Sequence, residues 1–194
     1  MKVITTLNLE IMKEMAKDLN RKWSINELSK KLKKHYRPIY AAVQSLLQQD
    51  FLIKDDNKLI ELSFKDTFLL ELAEKQRQIN NKEIKIIKEK LSRIKTVFFS
   101  AILFGSSVNR IGKDVDILII VPDSENISHV QKQAEEQLGS FYSKVDLNIV
   151  SEESCYEMLN RPNQLNVINE ILKNHLILFG TESFYALLRR WKNG

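Results

Sequence analysis

The pattern of apolar and polar residues over the first 66 positions predicts three short helices and a hairpin. Apolar residues three or four positions apart give each helix one face that packs in a core. Two short apolar runs then flank a polar turn, which is the pattern of two antiparallel strands. The apolar positions are Ile11, Met15 and Leu19 in the first helix, Ile25, Leu28 and Leu32 in the second, Ile39, Val43, Leu46 and Leu47 in the third, and 51–53 and 59–62 in the strands.

Residues at the start of each predicted helix support this assignment. Asn8 can cap the first helix, because its side chain accepts a hydrogen bond from a backbone N–H that the helix leaves unpaired. Ser24 and Glu27 have the spacing of a capping box at the second helix. Pro38 suits the first turn of the third helix. Three short helices followed by a hairpin predict a winged helix-turn-helix domain over residues 1–66.

A different pattern follows this domain. Residues 67–95 keep a helical spacing of apolar positions among many lysines, with Asn80 and Asn81 as a candidate break, and we expect a helical connector there. Strands and helices then alternate, so residues 96–194 are predicted to form a mixed sheet flanked by helices, and the chain is predicted to be α+β. The predicted strands are 97–103, 115–121, 145–150 and 176–179, and the predicted helix faces are Ile127, Val130, Ala134 and Leu138, then Leu165, Ile168, Ile171 and Leu172, then Phe184, Leu187, Leu188 and Trp191.

Charge is distributed unevenly between these regions. Lys and Arg outnumber Asp and Glu by 13 to 9 in residues 1–66 and by 8 to 4 in residues 67–96, whereas residues 97–194 carry 9 basic and 12 acidic side chains. A basic front half indicates a partner that bears phosphate. An acidic rear half that handled nucleotides would need cations. The imbalance is only suggestive, because most charge runs are solvated faces.

Several classes of protein are disfavoured by the sequence. The first residues lack a signal-peptide pattern, and the longest apolar stretch, 97–104, is too short to cross a bilayer. The single cysteine, Cys155, cannot form an internal disulfide or a cysteine-based zinc cluster. We therefore expect a cytoplasmic protein that does not associate with membranes.

The candidate chemistry lies at the turns of the predicted sheet. Gly105 and Ser106 follow the first strand, where a glycine turn lets backbone N–H groups approach an anion. Asp114 and Asp116 begin the second strand, and their carboxylates lie side by side because alternate strand residues point the same way. Adjacent carboxylates on an apolar strand repel each other. A divalent cation between them would offset this repulsion.

Asp146 is a third carboxylate near the start of a predicted strand, the third one. If the third strand lies beside the second, three carboxylates meet, and oxygen donors of this kind suit Mg²⁺. Two such ions ~3.5–4 Å apart stabilise the attacking and leaving oxygens of a phosphoryl displacement. An alternative stays open, in which Asp114 and Asp116 are a solvated strand start and Gly105 is an ordinary turn.

The ordered set Gly105-Ser106, Asp114-x-Asp116 and strand residue Asp146 resembles the polymerase-β-type nucleotidyltransferases, specifically their small minimal members. The resemblance covers the predicted second domain and implies a nucleotidyltransferase fold. It implies that Asp114 and Asp116 bind two Mg²⁺ ions, with Mn²⁺ as the other candidate metal. It also implies that Asp146 holds the catalytic metal and helps to activate an acceptor hydroxyl, while Gly105 and Ser106 bind the triphosphate of an NTP.

The sequence departs from this family in the loop before the carboxylates. The spacer between Ser106 and Asp114 is shorter than is common, and Lys113 stands where a small polar residue is usual. The Lys113 ammonium is a candidate nucleotide-binding group, or a neutralising group for the carboxylates. Two other functions stay open: a transcriptional regulator that senses NTP without turnover, and an antitoxin-type protein nucleotidyltransferase of a toxin–antitoxin pair. The acceptor could be a protein tyrosine, a small molecule or a nucleic-acid end.

The predicted front domain offers a candidate nucleic-acid surface. It resembles archaeal and bacterial winged-helix regulators, although Asp50 replaces a glycine often found before the apolar pair at Phe51 and Leu52. In helix-turn-helix proteins the second helix of the motif enters the major groove. We expect double-stranded DNA as the partner, with protein contacts as the alternative, and a homodimer is compatible with either. The candidate DNA-binding residues are Tyr36, Arg37, Tyr40 and Gln44 on the third helix and Lys54 and Lys58 on the hairpin.

Overall fold

The computed structural model describes residues 4–78, 82–109, 111–112, 114–141 and 143–193. The chain divides into two units, Met1–Arg77 and Gln78–Gly194. The predicted connector is shared between them, because its first helix belongs to the first unit and its second helix to the second unit. Asn80 and Asn81, the candidate break, lie outside the described residues.

The first unit contains helices and one antiparallel hairpin, in which Leu52 pairs with Leu62 and Lys54 with Ile60. Its core is formed by fully buried apolar side chains from every element, including Ile11, Leu28, Ile39, Ile60 and Leu69. The elements are α1 (Thr6–Met15), α2 (Ile25–Leu32), α3 (Tyr36–Gln48), β1 (Leu52–Lys54), β2 (Ile60–Leu62) and α4 (Phe68–Gln78), whose last residue falls in the second unit.

The caps of the first two helices show how local sequence sets their starts. Ser24 and Glu27 form the predicted capping box: Ser24 N donates to Glu27 Oε2 at 2.8 Å, and Glu27 N donates to Ser24 Oγ at 3.2 Å. The cap predicted for α1 was wrong. Thr5 caps α1, and Asn8 is its partner three residues later, whose Oδ1 accepts from Thr5 N at 2.8 Å. Asn8 also donates to Ala42 O on α3, a contact that its sequence neighbours do not reveal.

The second unit is built around a four-stranded mixed sheet with strand order β5-β4-β3-β6. β4 runs parallel to β5, and β3 runs antiparallel to both β4 and β6. The elements are α5 (Lys82–Leu91), β3 (Ser100–Phe104), β4 (Asp114–Val121), α6 (Ile127–Leu138), β5 (Lys144–Ser151), α7 (Glu152–Leu159), α8 (Val167–Lys173), β6 (His175–Phe179) and α9 (Thr181–Asn193), with a 3₁₀ turn at Gly105–Val108.

Helices cover both faces of this sheet, and the chain is α+β. Alternate strand residues such as Leu103, Val115 and Ile117 pack in one core with α5 and α6. The other residues of β3 and β4, such as Ile102 and Leu118, are also buried, and α7, α8 and α9 contact the strands on this side. Because both faces of β4 are covered, its residues form a continuous apolar run after Asp116.

Three features of the second unit differ from the sequence expectation. β3 begins at Ser100 instead of at position 97, because Val97 is 66% exposed and lies before the sheet. Leu165 precedes α8 and is fully exposed, so it is not part of a buried helix face. Helix α7 was not predicted, since only Cys155 and Leu159 are buried in it. Among the described helices, none has both the length and the apolar composition needed to span a bilayer.

Candidate active site

The Asp-x-Asp segment begins strand β4. Asp114 is exposed, Val115 is fully buried in the core on the opposite face, and Asp116 is half-buried. This alternation follows from the strand geometry, which directs Asp114 and Asp116 to one side. The polar start of β4 therefore lies at one end of a strand that is otherwise buried, where Asp114 and Asp116 keep access to solvent.

Asp146 lies directly beside Asp116 on the neighbouring strand. The parallel register pairs Asp116 with Asp146 and Asp114 with Lys144. Adjacent strands are about 4.8 Å apart, so the two paired aspartates project from the same face at close range. Lys144 brings a cationic side chain opposite Asp114, and the sequence analysis did not single it out. The structure thus pairs two of the predicted carboxylates and leaves Asp114 two register positions away, opposite Lys144.

The carboxyl group of Asp116 has a raised pKa. Burial raises the pKa of Asp116, and the nearby negative charges of Asp146, Asp114 and Glu170 raise it further. Both effects act because each disfavours the ionised carboxylate. Glu170, on α8, was missed by the sequence analysis, since its approach to β4 depends on how α8 packs on the sheet.

A turn at the end of β3 lies against the Asp116 carboxylate. Gly105 has φ of +66°, in the left-handed region that favours glycine, and a Cβ atom there would lie 2.9 Å from Asp116 Oδ2. Ser106 follows it and is exposed. Lys113, the third predicted nucleotide-binding residue, lies outside the described residues. Gly105 and Ser106 therefore form a turn that opens to solvent beside the carboxylates.

Ser107 connects this turn to the Asp-x-Asp segment. Its hydroxyl is buried, donates to Asp114 O at 3.1 Å and accepts from Asp116 N at 3.4 Å. Ser106 was predicted from the sequence as a site residue, and Ser107 was not. Two serines in succession after a turn glycine are a weak signal, since only the tertiary structure shows which hydroxyl faces β4.

Asn174 connects the same turn to the end of α8. Its Nδ2 donates to Gly105 O at 2.8 Å, across 69 residues of sequence. An asparagine between a helix and a strand is a common C-terminal cap, so the sequence offered no specific sign of this contact. The turn is thus held from one side by Ser107 and from the other by Asn174.

A cleft of about 350 Å³ opens at the carboxylates. It is bounded by β3, β4 and β5 and by the segment that leads into α8. Its lining combines acidic side chains and asparagines with apolar side chains. The lining residues are Phe104, Asp116, Asp146, Asn148, Leu165, Asn166, Val167 and Glu170.

The carboxylates near the starts of β4 and β5 fit a divalent cation by their chemistry. Asp114, Asp116 and Asp146 offer only oxygen donors, which Mg²⁺ and Mn²⁺ accept. A cation would also relieve the repulsion that raises the pKa of Asp116. Within the described ranges, no three Asp, Glu, His or Cys side chains are already grouped as a metal-binding set.

The predicted DNA-binding residues lie on α3 and on the hairpin of the first unit, and all but Gln44 are exposed. Tyr36 and Tyr40 are 48% and 46% exposed on α3, and their rings stack with centroids 6.0 Å apart. Arg37 is exposed between them, whereas Gln44 is half-buried one turn further on. Lys54 and Lys58 are exposed on the hairpin and its turn.

Comparison with known proteins gives little support for a family assignment. No protein-family model matches the sequence. No curated protein matches it either. The chain is similar to a crystal structure of a mutant of the toxin–antitoxin pair MntA–HpeT, with 19% identity, a TM-score of 0.40, and coverage of 58% of this chain and 85% of that one. A crystal structure from Shewanella oneidensis has 16% identity, a TM-score of 0.37, and coverage of 59% and 88%. Likenesses this weak establish neither a shared fold nor a shared function.

Proposed function

We propose that the second unit has a nucleotidyltransferase fold and transfers a nucleoside monophosphate from an NTP to an acceptor hydroxyl, in a reaction that requires divalent cations. The observation that carries this proposal is the pairing of Asp116 with Asp146 beside the Gly105 turn. An acidic pair alone is common. An acidic pair next to an open glycine turn, at the mouth of a cleft, offers places for both cations and phosphates.

The chemistry is an in-line displacement at the α-phosphorus. The acceptor oxygen forms a bond to that phosphorus, and the bond to the oxygen that bridges to the β-phosphate breaks, so pyrophosphate leaves with the electron pair. The proton of the acceptor hydroxyl passes to a carboxylate, for which Asp146 is the candidate because it lines the open cleft. The backbone N–H groups of Gly105 and Ser106 are the candidate donors to the departing phosphates.

Asp114, Asp116 and Asp146 are the residues that would hold Mg²⁺ or Mn²⁺. Such ions supply charge neutralisation for the phosphate oxygens and for the carboxylates. The protein's own contribution is to fix the carboxylates on two rigid strands, so that less reorganisation is needed when the nucleotide binds. The raised pKa of Asp116 supports this role, since burial and the nearby charges of Asp146, Asp114 and Glu170 each disfavour its ionised form, and a bound cation would favour it.

Transfer of label from NTPs tests the proposal. The full chain is incubated with each α-labelled NTP, with Mg²⁺ or with EDTA, and with acceptors of three classes: a hydroxyl-bearing protein, a small polyol and a nucleic-acid end. We expect pyrophosphate release that depends on metal and is lost in Asp116→Ala and Asp146→Ala. Glu136→Ala is a matched control, because Glu136 is an exposed carboxylate on α6 away from the cleft.

The outcomes separate the candidate functions. Label on a protein hydroxyl, or on this chain itself, supports the antitoxin-type protein nucleotidyltransferase. Tight, metal-dependent NTP binding with no turnover on any acceptor supports a regulator that senses NTP. Absence of both binding and turnover would contradict the proposed site.

We further propose that the first unit is a winged helix-turn-helix that binds double-stranded DNA through α3 and the hairpin. Exposed cationic and aromatic side chains on α3 support this role, since Arg can read base edges and Tyr and Lys suit phosphates. Affinity for a labelled duplex should fall with salt, and Arg37→Ala should weaken it. Lys132→Ala removes an exposed charge from α6 and is the control. Binding that ignores salt would indicate a protein partner instead.

A further inference from the structure

The backbone of Asn174 is held on both sides. Asn174 N donates to Glu170 O at 3.0 Å, which ends α8, and the next residue, His175, pairs with Phe104 on β3. From this fixed backbone, Asn174 Nδ2 donates to Gly105 O at 2.8 Å. The position of the donor is therefore set by a helix end and by a sheet.

This hydrogen bond fixes the orientation of one peptide group in the turn. The peptide bond between Gly105 and Ser106 is trans, so its C=O and its N–H point in opposite directions. Because Gly105 O points at Asn174, the Ser106 N–H is directed away from Asn174. Ser106 is exposed, and its N–H is the candidate donor to a ligand at this turn.

Glycine needs restraint from its surroundings to hold this orientation. Residue 105 has no Cβ atom, and its backbone can adopt many conformations at little cost. The 3₁₀ turn Gly105–Val108 restrains this backbone from within. The Asn174 amide adds a restraint from outside the turn, since a hydrogen bond to the Gly105 carbonyl resists rotation of the peptide plane.

We propose that Asn174 is a positioning residue that aims the Ser106 N–H at a phosphate of the bound NTP. The proposal rests on the proposed function and adds a residue to its triphosphate subsite. Asn174 does not touch the nucleotide. It acts through the Gly105–Ser106 peptide.

Binding of Mg²⁺–tripolyphosphate tests this role directly, because this probe carries the phosphates of an NTP without base or ribose. Affinity is measured by calorimetry on the full chain and on Asn174→Asp and Asn174→Ala. Asn174→Asp keeps the size but turns a carboxylate toward the Gly105 carbonyl. Both variants should bind the probe roughly tenfold more weakly. Asn160→Ala is the control, since Asn160 also follows a helix and donates to a backbone carbonyl, Tyr156 O, outside the cleft.

A purely structural role for Asn174 predicts a different result. It would lower the melting temperature while leaving the affinity of the folded protein unchanged, and that outcome would overturn the proposal. Turnover gives a second distinction: we expect KM for the NTP to rise roughly tenfold with a smaller change in kcat.

The unsubstituted protein provides a measurement that does not depend on whether the variants fold. Titration with Mg²⁺–tripolyphosphate should shift the Ser106 amide resonance downfield, and a Ser106 amide that stays in place while the probe binds would refute the role of Asn174. If the parent binds neither the probe nor any NTP, the proposed function fails as well. Binding by the parent with equal affinity in both Asn174 variants refutes the Asn174 proposal alone.

Discussion

Gly105 and Asp116 approach so closely that a Cβ atom on residue 105 would lie 2.9 Å from Asp116 Oδ2. The backbone of Gly105 also has φ of +66°, where a side chain is strained whatever the space. The turn and the carboxylate therefore constrain each other. A phosphate bound by the turn would lie next to a carboxylate, an arrangement that a divalent cation stabilises.

Gly105→Ala should impair both stability and activity. The left-handed conformation costs roughly 1–2 kcal/mol for a residue with a Cβ atom. Asp116 must also move, and a displacement of about 1 Å at a reacting centre can lower kcat roughly a hundredfold. Chemical denaturation and the NTP assay measure the two effects. Gly112→Ala is the control, because nothing lies within 4 Å of a Cβ atom there. Equal activity of both variants would contradict the close coupling of the turn to Asp116.

Ser107→Ala should destabilise the second unit by about 1–3 kcal/mol, because it leaves the partly buried Asp114 carbonyl and Asp116 N–H without the Ser107 hydroxyl. The change is measured by urea unfolding of the full chain. Ser106→Ala alters the same turn at an exposed hydroxyl and should leave the unfolding free energy within about 0.5 kcal/mol. Similar losses in the two variants would show that the Ser107 hydrogen bonds contribute nothing specific.

Local signals predicted most of the regular elements. The capping box at Ser24 and Glu27 and the apolar run of β4 each depend on residues close in sequence, so pattern and propensity were sufficient for them. Helix α7 was missed because it buries too few apolar residues to show a period. Leu165 was assigned to a helix face because it is apolar, yet it is fully exposed at the cleft.

The candidate site could be predicted only in part, because some of its contacts join residues that are far apart in sequence. Alternation along one strand places Asp114 and Asp116 on one side, and this needs no knowledge of the fold. The positions of Ser107, Glu170 and Asn174 depend on how the 3₁₀ turn, α8 and β6 meet, across up to 69 residues of chain. Single-sequence patterns carry no information on such contacts.

Asp50→Gly should stabilise the first unit. Asp50 has φ of +60°, a conformation that glycine adopts at little cost. We expect the unfolding free energy to rise by up to about 1 kcal/mol, less the additional entropy that glycine gives the unfolded chain. Trp23 is buried in this unit, so its fluorescence in a Trp191→Phe background follows the transition. Asp56→Gly should destabilise instead, since Asp56 is exposed and is not among the described residues with positive φ. Equal effects of both changes would contradict strain at Asp50.

Replacement of Asp116 should show a stability effect that depends on pH. The pKa of Asp116 is raised by burial and then by neighbouring carboxylates, so the folded chain holds this proton more tightly than the unfolded chain does. Stability of the metal-free protein should therefore fall as the pH rises from the ordinary aspartate pKa through the raised value, and then level off. Asp116→Asn has no carboxyl group to ionise at this position, so it does not undergo this loss of stability. In EDTA at neutral pH it should melt at a higher temperature than the parent.

Two comparisons separate this effect from a general change in charge. The advantage of Asp116→Asn should shrink as the pH falls and vanish below the ordinary aspartate pKa, because the carboxyl is then protonated in both states of the parent. Added Mg²⁺ should raise the melting temperature of the parent at neutral pH and have little effect on Asp116→Asn, since the variant has lost a carboxylate ligand. Glu136→Gln, which removes an exposed charge from α6, should follow the parent in both respects. A parent that is insensitive to Mg²⁺ while Asp116→Asn is still stabilised would mean that the carboxylates repel each other as expected but do not bind the metal.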